Sequence, residues 1–315
     1  GISYGILLGN GTGPIAIENN NQISGNSTSN NPTYGIYIDS SADVEIADND
    51  NISGGTTSNG NTYGIFIGSG ADVRIFRNKI IGGTSNPATP NTDYGLYINQ
   101  ANECIVLNNF IRGSTDSSDQ NNECYGVYAN DTDIVLINNT IGSGGSPSGM
   151  TSSYTVCVSD NPWNINPYII NNIFFGGTNN FNDAIRLIYD ISPIACRILN
   201  NSFRNDNIDR YIDGSGFNDT SIAAVNTETN ISPIPSSNIE FSSTNITFDD
   251  ESTADFHVGG TSSDTSSIKD NGYKYLSTLP LFTNNQALLG ELLIDIDGTT
   301  RNPASIDRGA HEFNP

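Results

Sequence analysis

Acids and arginines crowd one stretch of this sequence, where Asp160, Asp183, Arg186, Arg210 and Asp213 recur. General acid–base chemistry needs two carboxylates across a cleft, or a carboxylate beside Arg or Lys. This group is the candidate for it, although the same residues also read as solvated ion pairs on an acidic surface. Histidine chemistry has little room, since His257 and His311 are the only histidines and both lie near the C-terminus. A triad or a histidine metal site is not expected. Asp295-x-Asp297-Gly298 clusters oxygens of the kind a hard cation such as Ca²⁺ takes, as does the Asp48–Asn51 corner. Neither completes a ligand set, and turn chemistry accounts for both, so no other cofactor is expected.

The elements that must carry these residues show themselves as a repeat. One phrase returns at Tyr4-Gly5-Ile6, Tyr34-Gly35-Ile36, Tyr63-Gly64-Ile65, Tyr94-Gly95-Leu96 and Tyr125-Gly126-Val127, then more loosely at Tyr154-Thr155-Val156 and Asp183-Ala184-Ile185. A second follows each (Asp43-Val44-Glu45-Ile46, Asp72-Val73-Arg74-Ile75), and a third is short (Ile52-Ser53-Gly54, Ile80-Ile81-Gly82). All three are rich in β-branched residues and alternate with period two, which marks half-buried strands. An Asn or Asp recurs two residues before the third apolar phrase, at Asn21, Asp50, Asn78, Asn109, Asn139, Asn172 and Asn201. Such residues tolerate the left-handed conformation of a sharp corner and can hydrogen-bond along a stack. Three strands and one tight corner per turn predict an all-β solenoid, a right-handed parallel β-helix of about eight coils. Antiparallel propeller blades would join paired runs by Asn-Gly or Asp-Gly hairpins, and the corners here are wrong for that; a leucine-rich repeat is shorter and carries a leucine scaffold that this chain lacks.

If Ile36 and Ile38 point inward, Tyr37 points outward, and Phe66, Tyr97 and Tyr128 fall in the same column. With coils about 4.8 Å apart these rings stack as a ladder. Aromatic surfaces suit sugar rings, so the column is a candidate ligand platform, with Trp163 in the Ser159–Pro167 loop as its extension. The same ladder also serves as ordinary cross-strand stabilisation of the sheet. Cys104 and Cys196 take inward slots three coils apart, about 14 Å, and the Cys124–Cys157 offset is about 13 Å, both beyond disulfide reach. Four unpaired thiols are expected.

The pattern resembles the pectate-lyase-like superfamily of parallel β-helices over roughly residues 1–225, and the Asn column resembles the one those proteins place at their second turn. That resemblance implies a substrate cleft along the strand that follows the long loops, here Asn26–Thr33, Gly55–Thr62, Gly82–Asp93, Gly113–Cys124 and Gly142–Ser153. It carries over no catalytic residue, because the paired aspartates with Gly-His-Gly of polygalacturonases and the basic groups of pectate lyases are both missing. From about Ser232 the repeat fails, which divides the chain into coils at 1–230 and a C-terminal cap region at 231–315, packed on the solenoid and with room for a last coil. There, Asp255-Phe256-His257-Val258 and the run from Asp295 to Phe313 resemble the C-terminal region of bacterial surface β-helix proteins, departing at Arg308 and His311. The resemblance implies an extracellular or cell-surface bacterial protein.

With 12 Lys+Arg against 34 Asp+Glu the net charge is −22, which repels phosphate backbones and anionic headgroups. Nucleic acid is excluded as a partner. No run nears the roughly 18 apolar residues of a membrane helix, so no membrane insertion is expected. The chain opens on a repeat unit without a Met, so an upstream leader or anchor is expected. The sequence thus leads to a secreted or surface-exposed, non-catalytic β-helix binding a glycan or host/matrix ligand along the first-strand face. Neutral glycans fit the charge better than polyuronates. A polysaccharide lyase or glycoside hydrolase on that face, and a passive stalk, are the alternatives.

Overall fold

The computed structural model describes residues 1–204 except 10, 12, 28–29, 40–42, 86–90, 115–122, 145–151, 160–165, 177–181 and 189–195. Beyond 204 it describes 209–212, 218–219, 221–227, 229, 236–241, 246–250, 255–260, 272, 282, 285–303 and 306–309.

The three phrases form three sheets. First strands run in the order Ser3–Leu8, Thr33–Ile38, Thr62–Ile67, Thr92–Asn99, Glu123–Asn130, Ser152–Ser159, Asn182–Ile188 and Asp209–Ile212, each parallel to the last. The short Asn218–Asp219 closes that sheet antiparallel. Second strands run from Ile15–Glu18 to Arg197–Leu199, and third strands from Ile23–Ser24 to Ile239–Phe241. Among the described residues the second sheet has seven strands, close to the about eight coils expected. The fold is the expected all-β parallel β-solenoid.

Register is the cause of the core. Ile36 pairs with Ile65, and Ile65 with Leu96. All three are fully buried. They share one continuous cluster with the inward residues of the other two sheets, among them Val44, Val73 and Cys104 from the second and Ile52, Ile80 and Ile111 from the third. Gly82 marks where the third strand turns beneath the next first strand, because a Cβ there would stand 1.8 Å from the Gly113 carbonyl oxygen. All four cysteines are buried and none is in a disulfide.

The corner between second and third strands is held by a ladder of asparagines. Asn20, Asn49, Asn78, Asn109, Asn139, Asn172, Asn201 and Asn238 each take the Nδ2–H of the rung before on Oδ1, or pass their own onward, at 2.8–3.1 Å. The first two rungs are therefore Asn20 and Asn49, not Asn21 and Asp50. The invariant spacing is three residues after the last inward residue of the second strand, as Ile46 to Asn49 and Ile75 to Asn78. The two earliest corners carry one extra residue before the third strand, which misleads a count made backward from it. Each rung follows a left-handed residue, from Asn19 and Asp48 to Asn200, with φ of 53–59°.

The C-terminal segment lies along the flank. Phe282, Leu288, Leu292 and Ile306 cover an apolar stripe of Ala47, Phe76, Leu107, Ile137 and Ile170 at the outward ends of second strands. Arg77, at one corner, holds the carboxylates of both Asp48 and Glu291. Asn108 Nδ2 donates to the Glu291 and Ile294 carbonyls at the C-terminal end of the helix Gln286–Leu292. Further along, Gly309 N–H reaches the Asn171 carbonyl at 2.7 Å, and buried Arg308 donates to the Asn201 and Ser237 carbonyls. At the end of the solenoid, Ile222 and Val225 of the short helix Ile222–Val225 join the coil core.

Replacing Asn109 by Leu keeps its bulk but removes the acceptor for the Asn78 N–H and Nδ2–H and the donor to the Ile75 and Leu107 carbonyls. Each orphaned buried group costs about 1–3 kcal/mol, so Asn109→Leu should lose more than about 3 kcal/mol, read as a lower urea midpoint. An unchanged midpoint would show that corner geometry, not the ladder, sustains the turn.

Candidate ligand-binding face

The outer face of the first-strand sheet carries two aromatic columns. Tyr37, Phe66, Tyr97 and Tyr128 are in register on successive coils. Their rings stack at 4.7, 5.1 and 5.2 Å and lie within 8° of parallel. The second column was only a repeat marker in the sequence: Tyr4, Tyr34, Tyr63, Tyr94, Tyr125 and Tyr154 stack at 4.8–5.2 Å. Rings of the two columns meet edge-to-face, as for Tyr34 with Tyr37 at 4.9 Å and 83°.

A regular strand would send residues three apart to opposite faces. Tyr34 and Tyr37 nevertheless share the outer one, and the parity changes at the intervening glycine. A Cβ on Gly35 would fall 2.5 Å from the Gly64 oxygen and 2.8 Å from the Ser53 oxygen. Only Gly lets the first strand sit that close to the third. The Tyr-Gly pair was thus a legible signal, since the glycine places its tyrosine outside.

This arrangement changes what the column offers. Phe66 has Tyr37 on one face and Tyr97 on the other, and Tyr97 lies between Phe66 and Tyr128. Ring faces are therefore spent on neighbouring rings, and solvent meets a strip of outer edges and phenol hydroxyls. Tyr34, Tyr63, Tyr125 and Tyr154 are buried beneath that strip, while Tyr37, Phe66, Tyr97 and Tyr128 are half-buried. Burial, reinforced by neighbouring phenols, pushes Tyr34 and Tyr94 well above the ordinary tyrosine value. Burial alone raises Tyr97. Tyr34, Tyr94 and Tyr97 therefore stay neutral phenols at physiological pH.

Arg186 continues the outer column one coil beyond Cys157, which itself follows Tyr128. Its guanidinium lies 4.9 Å from the Tyr154 ring centroid and donates to that phenol oxygen. The arginine at the centre of the acid–base candidate is thus engaged by an aromatic ring. Asp183 and Arg210 are placed only as strand positions, with Asp183 in register with Tyr154 and Asp209. Asp160, Asp213 and Trp163 lie outside the described residues.

The loops beside the Tyr column stack at their bases. Thr56–Thr57 pairs with Thr84–Ser85, and Thr92 N–H donates to Asn61 Oδ1 at 3.0 Å. Asp93, counted as loop in the sequence reading, is a fully buried strand residue whose carboxylate accepts from Thr62 at 2.6 Å and Ser85 at 3.2 Å. At the other candidate, Asp295 is buried and its Oδ1 accepts the Asp297 and Thr299 N–H groups, closing its own turn. Among the described residues no three His, Cys, Asp or Glu side chains are grouped to hold a metal ion. Nor, among them, is any helix long and apolar enough to cross a membrane.

Comparison with known proteins finds no matching family model, no matching curated protein and no matching solved structure.

Two measurements test the columns. Raised phenols bind protons that an unfolded chain gives up near pH 10, so unfolding releases protons there and stability must fall as pH rises beyond that value. Phenolate absorbance followed with pH should show these tyrosines ionising only together with unfolding; smooth ionisation of every tyrosine near pH 10 in the folded protein would contradict the burial. Tyr97→Ala opens two stacked contacts worth about 0.5–1.5 kcal/mol each, so a loss of roughly 2 kcal/mol is expected. Tyr97→Phe should be close to neutral.

Proposed function

We propose that this chain is a secreted or surface-exposed, non-catalytic β-helix that binds a glycan or other extracellular ligand along the first-strand face and its flanking loops. The observation that supports this reading is the half-buried strip of Tyr37, Phe66, Tyr97 and Tyr128, held at a 4.7–5.2 Å pitch. Stacking orders each ring before any ligand arrives, so association freezes few additional rotamers. A ligand on this strip meets ring edges, which are the positive part of the aromatic quadrupole, and phenol hydroxyls. Those groups suit the oxygens of a neutral saccharide lying along the solenoid axis. The −22 net charge makes anionic polymers poorer partners. On the same face Arg186 sits on Tyr154, an arrangement that favours binding over acid–base chemistry.

The test is a neutral-glycan array with wild type and Tyr97→Phe. The variant keeps the stack, as Phe66 does naturally, and removes one hydroxyl. Binding by wild type that weakens about two- to tenfold in the variant, the worth of one neutral hydrogen bond, is expected. Absence of wild-type binding across the array would leave a stalk instead. Reducing ends or unsaturated products released from a bound polysaccharide would replace the reading with a hydrolase or lyase.

A further inference from the structure

The second-strand sheet carries a separate feature on its outer face, away from the aromatic columns. An open cleft of ≈ 380 Å³ is lined by Glu103, Asp133, Val135, Asn166, Tyr168 and Arg197. That volume is within the range of small-molecule sites. Glu103 begins its second strand and Asp133 immediately precedes the next one. Val135, Tyr168 and Arg197 follow further along, in register on three successive coils.

The arginine of this cleft forms no ion pair with either of its acids. Arg197 places its guanidinium 4.7 Å from the Tyr168 ring centroid, and the ion pairs formed among the described residues involve other groups, Arg74 with Asp43 and Arg77 with Asp48 and Glu291. Stacked on the ring, the guanidinium keeps its N–H edge for another partner. The Asp133 carboxylate is fixed by the Asn166 N–H at 2.7 Å.

On the acidic side, Asp43, Asp72 and Glu103 are directly in register, and Asp133 immediately precedes the next second strand, Ile134–Ile137. Like charges on adjacent rungs oppose sheet formation. Loss of solvent raises Glu103 above the usual carboxylate range, Asp72 and Asp133 add to the effect, and Arg74 opposes it. A cation between Glu103 and Asp133 would relieve that repulsion.

We propose that the cleft binds an ω-amino carboxylate, its ammonium between Glu103 and Asp133, its methylenes over Val135 and its carboxylate on the free edge of Arg197. Two coil steps and two residues of strand separate Asp133 from Arg197, about 12 Å between main chains. Such a span calls for a linker of several methylenes. The arrangement uses a different sheet from the aromatic strip, so either site can fail alone.

Titration of the whole chain by calorimetry at low salt, with 6-aminohexanoate as the probe, tests this. Hexylamine and hexanoate each lack one charge, and Arg197→Gln and Glu103→Gln each remove one partner. A charge-assisted hydrogen bond is worth about 1.5–3 kcal/mol, so each of the four changes should weaken binding about tenfold or more, while Tyr97→Phe leaves it unchanged. Equal binding of hexylamine and 6-aminohexanoate with no effect of Arg197→Gln would reduce the site to diffuse attraction of cations. No saturable binding of 6-aminohexanoate by wild type at tens of millimolar would overturn the proposal outright.

Discussion

Every feature of this molecule depends on coils meeting in exact alignment, and the asparagine ladder enforces it. A rung binds its neighbour through a side-chain amide and a main-chain N–H together, as Asn78 does on Asn109. A slip by one residue would break both and would turn the inward aliphatic residues toward solvent. The left-handed residue before each rung, Arg77 or Asn108 for example, is strained for an L-amino acid. That strain is offset because the corner feeds a fully satisfied buried amide.

Alignment of the backbone then makes every outward position a column, and chemistry becomes collective. On the first sheet, tyrosines at two positions per coil combine into interlocked stacks, and their faces disappear into one another. On the second sheet the same rule aligns Asp43, Asp72 and Glu103, where it concentrates negative charge rather than apolar surface. One scaffold thus presents a neutral, hydroxyl-edged strip on one side and a charged cleft on another, each built from side chains that a single coil holds only once.

The repeat made the architecture legible, because period-two alternation and a near-constant spacing have one economical solution. Tyr37, Phe66, Tyr97 and Tyr128 were placed correctly as a column for the same reason. The use of that column was not legible: whether rings show faces or edges depends on their tilt, which sequence spacing does not encode. The inner tyrosines were hidden by a parity argument that fails at Gly35, where the strand departs from strict alternation. Asn20 and Asn49 were missed by counting from the wrong strand. Arg186 looked like a partner for acids until its neighbour across the coil, Tyr154, proved to hold it. The charged cleft was not legible because Glu103 and Arg197 are distant in sequence and only the register of four successive coils brings them to one face.

The C-terminal segment touches corners far apart along the axis, Arg77 and Asn108 at one part and Asn171 and Asn201 at another. Repeat proteins commonly gain or lose units because each unit knows only its neighbours. Here one stretch of chain spans several of them at once, like a gauge laid against a stack of plates. Deleting or duplicating a coil between these corners would offset one set of contacts by a full step of the stack, so the segment fixes the length of the array as well as covering its side.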